Sequence, residues 1–332
     1  MTALAVVALT GLTTAWSVSA GASVARRAGG DKLVVVTTVS PITSIVASVA
    51  GDFAEVRGLI PEGADSHTFE PPPSAAATLS EADIVFVNGL KLEDPTKELA
   101  AESLQDGARV VELGTKTLPK REYLYDFSFP RDGGKPNPHL WTNPPYAKRY
   151  GRIAANVLAR RDPAHRAEYE ANYRAFAAKV DELDAAMKTA SASMTAAERT
   201  LLTYHDAYAY FARHYGWTVI GAVQLSSFED PTPRDVAGLI HQAERRQVPA
   251  IFGSEVFPSP VLEQIGKEAH VRYVDKLRDD DLPGEPGDPQ HSWLGLMRFD
   301  FVTMVRSLGG DTTALDAVDV RPPTMDRAEY PQ

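Results

Sequence analysis

The sequence predicts an α/β protein of two lobes, each with a mainly parallel sheet flanked by helices, joined by one long helix. Three observations support this prediction. Strand and helix patterns alternate in both halves of the chain, one amphipathic helix of unusual length separates the halves, and 332 residues are more than one small core needs. We expect an N-terminal lobe at 31–145, linking helices at 146–192 and a C-terminal lobe at 193–332.

The first half begins with a β-branched run at 32–39, which is typical of a buried strand. A helix follows at 41–49, where apolar residues recur at the spacing of one helical face. Further strands are predicted at 53–60, 83–88 and 110–113, and a short helix at 75–81. Such alternation predicts parallel strands whose carboxyl ends lie at the same edge of the sheet.

The two linking helices separate the halves. The first is predicted at 146–160 and ends before Asp162-Pro163. From 164 to 190, large apolar residues recur every three or four positions with charged residues between them. At ~1.5 Å per residue this second helix is about 40 Å long. We therefore expect a stiff connection that allows little relative motion of the lobes.

The second half repeats the alternation without any close repeat of sequence. Strands are predicted at 200–204, 218–223, 250–252 and 271–274, and helices at 207–214, 233–247, 260–269 and 292–308. The segment 118–138 in the first half is rich in proline, glycine and charged residues, and we expect it to be an exposed loop.

The composition restricts the chemistry that the chain can perform. Cysteine is absent, which excludes disulfides, thiolate zinc sites, iron–sulfur clusters and a cysteine nucleophile. The formal charge of −10 argues against non-specific nucleic-acid binding, which needs a basic surface. Any site must therefore use histidine, carboxylate, hydroxyl or backbone groups.

The segment 1–30 is predicted to direct export. Residues 2–24 carry no charge and are rich in small and aliphatic side chains, with suitable signal-cleavage positions around Ala20. Arg26 and Arg27 follow this stretch, whereas a secretory signal carries its basic residues before it. The segment is either a signal peptide or an N-terminal anchor. Both predict a protein in the periplasm or on the outer face of the cytoplasmic membrane.

Three of the eight histidines lie in turns close to predicted strand ends. His67 follows the strand at 53–60, His139 lies in a proline-bounded turn, and His205 directly follows the strand at 200–204. The acidic run 279–281 comes after the strand at 271–274. Because open parallel sheets bind ligands beyond the carboxyl ends of their strands, we expect these groups to meet between the lobes.

Three neutral imidazoles and one carboxylate form a tetrahedral donor set suited to zinc, and also acceptable to manganese or iron. The alternative for the acidic run is a solvated loop. His214 is predicted to be a helix-end residue, because it lies on the opposite side of the helix from His205. Asp206 is predicted to cap the following helix. The histidines expected to be ordinary surface residues are His165, His241, His270 and His291.

These turns, in this order, resemble the zinc- and manganese-specific solute-binding proteins of bacterial ABC importers, the cluster with a rigid helix between its domains. The matching segments are 63–71 around His67, 137–141 around His139, 204–211 around His205, 231–255, and 277–282. The likeness covers nearly the whole chain after Lys32. Each motif alone is weak, but together they are specific.

The resemblance implies metal ligation by His67, His139, His205 and one aspartate of the acidic run. Asp280 fits the family's pattern best, and Asp279 is the next choice. The resemblance also implies a metal site in the cleft between two lobes, an ABC permease and its ATPase as partners, and no catalysis. We expect the protein to be a monomer. We expect it to carry Zn²⁺, with Mn²⁺ as the alternative, because nitrogen-rich donors bind zinc more tightly than manganese.

Three features depart from the family pattern. Asn137 stands where aspartate is frequent, the segment 118–138 lacks the histidine-rich run of many zinc-binding members, and no cysteine is present for lipid attachment. The second hypothesis is a metallohydrolase, in which a zinc-bound water takes the fourth position. Glu255 would then be the strand-end base, although its expected role is to support the side chains that bind the metal. A metallochaperone or adhesin on the same fold is the third hypothesis.

Overall fold

A computed structural model describes residues 32–224, 231–254 and 260–332. The predicted export segment at 1–30 and the carboxylate of Glu255 lie outside the described residues. Among the helices that the structure describes, none combines the length and apolar character needed to cross a membrane.

The N-terminal lobe contains one parallel sheet. Its strands are β1 (Leu33–Thr37), β2 (Ala54–Gly58), β3 (Ile84–Val87) and β4 (Arg109–Glu112), in the order β2-β1-β3-β4. Its helices are α1 (Ser40–Ala50), α2 (Pro73–Glu81), α3 (Asp94–Ser103) and α4 (Leu113–Thr117). The valines of β1 are buried on both faces, as expected of a parallel strand between two helical layers. The predicted alternation of strands and helices is confirmed.

The C-terminal lobe contains the second parallel sheet. Its strands are β5 (Thr200–Thr203), β6 (Thr218–Ala222), β7 (Ala250–Ser254) and β8 (Arg272–Leu277), in the order β6-β5-β7-β8. Its helices include α7 (Ala209–Tyr215), α8 (Pro233–Arg246) and α9 (Pro260–Glu268). In both sheets the first strand of the lobe lies between the second and the third. The point at which the strand order reverses is therefore beside β1 in one lobe and beside β5 in the other, where ligands of such sheets bind.

Two helices join the lobes, as predicted. They are α5 (Pro144–Arg161) and α6 (Arg166–Ala192), and α6 is about 40 Å long at ~1.5 Å per residue. The apolar stripe of α6 is buried. Helices α10 (Trp293–Ser307) and α11 (Thr313–Asp316) also pack against α6. One hydrophobic core consequently extends from Val35 in β1 through Phe176 in α6 to Phe301 in α10.

A short segment near position 330 extends the N-terminal sheet. The amide of Glu329 donates to the carbonyl of Val56 over 2.9 Å, and the amide of Gly58 donates to the carbonyl of Glu329 over 2.8 Å. Further along, the amide of Glu62 donates to the carbonyl of Pro331 over 3.1 Å. The segment therefore covers the edge of β2 and contacts the turn that leads to His67.

Candidate metal-binding site

The structure brings the three predicted histidines together. The Nε2 atom of His67 lies 3.2 Å from Nε2 of His139 and 3.1 Å from Nε2 of His205. Two nitrogens bound to one tetrahedral zinc ion, at ~2.05 Å each, would be about 3.3 Å apart. The spacing of these nitrogens therefore suits a single shared ion of that size.

Hydrogen bonds on the far side of two imidazole rings set their tautomers. The amide oxygen of Asn137 accepts from Nδ1 of His139 over 2.9 Å and from the His139 backbone amide over 3.0 Å. A carboxylate oxygen of Asp279 contacts Nδ1 of His205. In the neutral form of each ring the proton is on Nδ1, so that Nε2 presents a lone pair to the common centre, which is the arrangement that metal-binding histidines use.

The acidic run is buried, so the alternative of a solvated loop is wrong. Asp279, Asp280 and Asp281 are 2%, 5% and 8% exposed. Both oxygens of Asp279 are engaged, one by the hydroxyl of Ser254 at 3.3 Å and the other by His205. Asp280 accepts from the hydroxyl of Ser66 over 2.5 Å through Oδ2, while its buried Oδ1 has no hydrogen-bond partner among the described residues.

One carboxylate oxygen from each of Asp279 and Asp280 and one ring nitrogen of His139 lie within 4.8 Å of one another. The carboxylates therefore adjoin the histidine cluster. Among the described residues, both oxygens of Asp279 have a contact, whereas Oδ1 of Asp280 has no hydrogen-bond partner, so Asp280 is better suited than Asp279 to complete a shell of donors.

Contacts on both sides of this cluster join the two lobes. Asp281 accepts from the amide of Gly63 through both carboxylate oxygens, at 2.9 and 3.0 Å. The indole of Trp141 donates to the carbonyl of Asp279 over 2.8 Å. The acidic run thus contacts the loop of His67 and the turn of His139 directly.

Aromatic rings limit the access of water to the site. Trp141 lies edge-on to His139 with ring centroids 5.0 Å apart, and Phe129 packs 5.5 Å from the ring of His67. His139 and His205 are buried, whereas His67 is partly exposed. An ion from solvent would therefore reach His67 first.

The predicted exposed loop at 118–138 is partly buried, which corrects that expectation. Ser128 and Phe129 are buried, and Ser128 makes hydrogen bonds to the other lobe. Its amide donates to a carboxylate oxygen of Asp206 over 2.9 Å, and its hydroxyl donates to the carbonyl of Gln224. Composition alone does not reveal such a contact between distant segments.

Burial and neighbouring charges shift the pKa values of the site residues in different directions. Burial, together with the charge of His205, lowers the pKa of His67 and of His139 well below the usual value. Burial also lowers the pKa of His205, but the Asp279 carboxylate outweighs it and raises that pKa to about 9. Burial and the charge of Asp279 raise the pKa of Asp280 to about 8. His67 and His139 are thus held neutral, in the form that binds metal.

The prediction that Asp206 caps the next helix is wrong. Helix α7 starts only after Tyr208, and Asp206 accepts instead from the amide of Ser128. The side chain of Asp206 also faces that of Asp126, and burial raises the pKa of both carboxyl groups, that of Asp126 to about 9. The amide nitrogen of Asn137 donates to Asp126 over 2.9 Å and to the carbonyl of Asp206 over 2.6 Å.

The remaining histidines lie apart from the cluster. His214 is at the end of α7 next to Gly216, as predicted, and bonds to Asp184 over 2.7 Å. His291 is not the surface residue that was expected, because it is 2% exposed and lies 3.2 Å from a carboxylate oxygen of Glu62. Its partner is 229 positions away in the sequence, so no local pattern indicates the contact.

Comparisons with known proteins place the chain in a family. Residues 35–307 match the family model described as ZnuA, zinc-uptake complex component A, periplasmic. The iron-binding protein YfeA of Yersinia pestis is 30% identical over 279 residues, which cover 84% of this chain and 87% of that protein. The manganese ABC transporter substrate-binding lipoprotein PsaA of Streptococcus pneumoniae is 26% identical over 270 residues, covering 81% and 87% of the two chains.

A solved structure supports the same relationship. The periplasmic zinc-binding protein TroA from Treponema pallidum superposes with a TM-score of 0.76 at 26% identity. The superposition covers 84% of this chain and 99% of that one. The matched fold therefore includes both sheets and the long helix.

Proposed function

The chain belongs to the ZnuA family of periplasmic metal-uptake components, and we propose that it captures Zn²⁺ outside the cytoplasm and delivers it to an ABC permease and its ATPase. As a member of that family it is the metal-binding component of an ABC uptake system. The relatives named above are binding proteins rather than enzymes, and this chain is likewise not an enzyme. The identity of the metal and the delivery step are the proposal.

One observation carries the choice of site. Nε2 of His67 faces the Nε2 atoms of both His139 and His205, at hydrogen-bond distance. With Nδ1 of His139 and of His205 each turned to an oxygen acceptor, the inner nitrogens cannot all satisfy one another by donating a proton. Lone pairs that converge in a buried space favour a cation.

We assign the fourth donor to Asp280. Its buried Oδ1 atom has no hydrogen-bond partner in the described part of the chain, and the hydroxyl of Ser66 donates to the other oxygen of the same carboxylate. Asp279 instead orients His205, a role that carboxylates commonly have behind a metal-binding histidine. A closed set of four donors leaves no position for an activated water, so the hydrolase hypothesis has no support in this geometry.

Zinc is proposed over manganese and iron because of the donor set. The names of the relatives specify iron, manganese and zinc in turn, so they do not decide between these metals. Three imidazoles and one carboxylate favour zinc, since zinc stands above manganese and iron in the general order of affinity for nitrogen donors.

The test is a competition for the site. Protein stripped of metal is titrated with Zn²⁺ and Mn²⁺ together, and we expect zinc to displace manganese. We expect His139→Ala to lower zinc affinity by more than the ~100-fold typical of changes outside the ligand shell, with the circular-dichroism spectrum unchanged. His241→Ala, an exposed histidine on α8, is the matched control. Tight zinc binding by His139→Ala would contradict the proposed site, and preference for manganese would contradict the proposed cargo.

A further inference from the structure

A cavity of about 220 Å³ opens beside His67. His67 lines this cavity, and it is the one proposed ligand that is not fully buried. Leu90, Phe129 and Pro138 contribute apolar walls. The cavity is therefore the route by which a solute would approach the metal-binding site from solvent.

Apart from His67, two charged side chains among the described residues line this cavity, and both are cationic. They are Lys91 and Lys135, and both reach solvent. Neither has an ion-pair partner in the part of the chain that the structure describes. Two unpaired ammonium groups at one cavity are notable in a chain with a formal charge of −10.

The backbone that presents Lys91 is held in an unusual conformation. Gly89, Leu90 and Lys91 have φ angles of 76°, 57° and 66°, so three consecutive residues lie in the left-handed region. This conformation is unfavourable for residues with a side chain. The other described non-glycine residues with positive φ are Gln247, directly after α8, and His270, two residues after the end of α9, and such angles are ordinary where helices end.

A buried network keeps this turn in place. The carboxylate of Glu93, 2% exposed, accepts from the amides of Asn88 and Gly89 over 2.7 and 3.0 Å and from the hydroxyl of Thr38 over 2.7 Å. The side-chain amide of Asn88 donates to the carbonyl of Pro138 over 2.9 Å. The turn is thereby fixed to the segment of His139, and strained turns held in this way are typical of ligand-binding sites.

The lysines do not suit a bare cation. A hydrated dication that enters the cavity is repelled by both ammonium groups, whereas an anion is attracted. A cavity that has apolar walls and two cations in its lining suits a short carbon skeleton that carries more than one anionic group. Small polycarboxylates have this form, and they also bind dications through oxygen.

We propose that the cavity beside His67 binds a small polycarboxylate anion, so that the metal reaches the site as its anionic carboxylate complex. This inference rests on the proposed function of the site as a metal-binding centre. A one-to-one complex of a dication with the trianion of citrate is still an anion, so the lysines would attract it. No bond is made or broken in the anion, since the metal passes from its carboxylate oxygens to the donors of the protein.

The experiment compares two forms of the same metal. Stopped-flow tryptophan fluorescence, to which Trp141 beside His139 contributes, is recorded while metal-free protein takes up Zn²⁺ either as the aqua ion or as its citrate complex. In the double variant Lys91→Met, Lys135→Met, we expect uptake from the citrate complex to slow about tenfold, as loss of electrostatic steering implies. Uptake of the aqua ion should stay the same or become faster. Lys135→Met alone leaves the strained turn untouched and should show a smaller loss of the same sign.

Two controls isolate the position and the charge of these lysines. Lys91→Arg with Lys135→Arg keeps both charges and should behave as the unaltered protein. Lys188→Met with Lys267→Met makes the same change in net charge at exposed positions outside the cavity, and should leave both rates unchanged. Succinate should compete with the citrate complex, and inorganic phosphate at equal ionic strength should not.

An equal change in both rates, or no change in either, would overturn the inference and leave the proposed function intact. Competition by phosphate as strong as that by succinate would overturn the assignment to carboxylates. If the unaltered protein takes up zinc from neither form, the proposed function itself fails.

Discussion

The carboxylate of Asp279 contacts Nδ1 of His205, on the side of the imidazole ring opposite the nitrogen that faces His67. The two residues are 74 positions apart, and they follow strands β8 and β5 of the same sheet. Their contact fixes the orientation of the His205 ring. The two adjacent aspartates therefore have different roles. Asp279 contacts His205, whereas Asp280 has an oxygen atom without a hydrogen-bond partner among the described residues.

This division of roles predicts different results for two isosteric changes. Asp280→Asn should lower zinc affinity more than Asp279→Asn, because it removes an anionic donor. Asp279→Asn should lower affinity by about 10- to 100-fold, as is typical for residues behind a metal ligand. Calorimetric titration of both variants with Zn²⁺ measures the difference. The reverse order would make Asp279 the ligand.

Zinc affinity should fall as the pH is lowered. The pKa of His205 is raised to about 9 by Asp279 against the effect of burial, so near neutral pH this imidazole carries a proton that must leave before zinc binds. We expect release of at least about one proton per ion at pH ~7.5. Calorimetry in two buffers with different enthalpies of ionisation measures the number released. Binding without proton release would contradict an imidazole site.

The facing carboxyl groups of Asp126 and Asp206 predict a loss of stability at alkaline pH. Burial, and then the charge of Asp206, raise the pKa of Asp126 to about 9 in the folded protein. A raised carboxyl pKa contributes stability that is complete below the unfolded value of ~3.9 and is lost as the pH rises through the folded value. The folded state without metal should therefore lose this contribution progressively up to about pH 9.

Asp126→Asn should remove this dependence, because its amide supplies a permanent donor to Asp206 in place of a proton. At pH ~8.5 we expect the variant to exceed the unaltered protein in free energy of unfolding by at least about 1 kcal/mol. Urea denaturation at pH 5 and pH 8.5 tests this. The matched control is Asp132→Asn, in an exposed turn of the same segment. An advantage of equal size at both pH values would show that no shared proton is involved.

The fold and the meeting of the three histidines could be predicted from the sequence, because the topology determines both. Each strand pattern is local, and parallel alternation forces strand ends to one edge of the sheet. His205 lies two residues after the end of β5, and His67 lies in the loop that leaves β2. Their meeting could therefore be expected from these strand ends together with the order of the motifs. The family resemblance then pointed to Asp280 in preference to Asp279.

Contacts between segments far apart in the sequence were beyond such reasoning. Asp206 was expected to cap a helix, but its partner is Ser128 in a segment expected to be exposed. His291 was expected at the surface, but it is buried against Glu62. From the sequence, Asn137 is only a departure from the family pattern. In the structure it lies two positions before His139, and its amide oxygen orients the His139 ring as an aspartate would.

The proposed donors are distributed from position 67 to position 280, and both sheets must form before they can meet. A partly synthesised or unfolded chain consequently offers only isolated side chains, none of which can hold an ion firmly. If the site acts as proposed, we expect the compartment in which the last segments fold, rather than the place of synthesis, to determine which metal the protein carries.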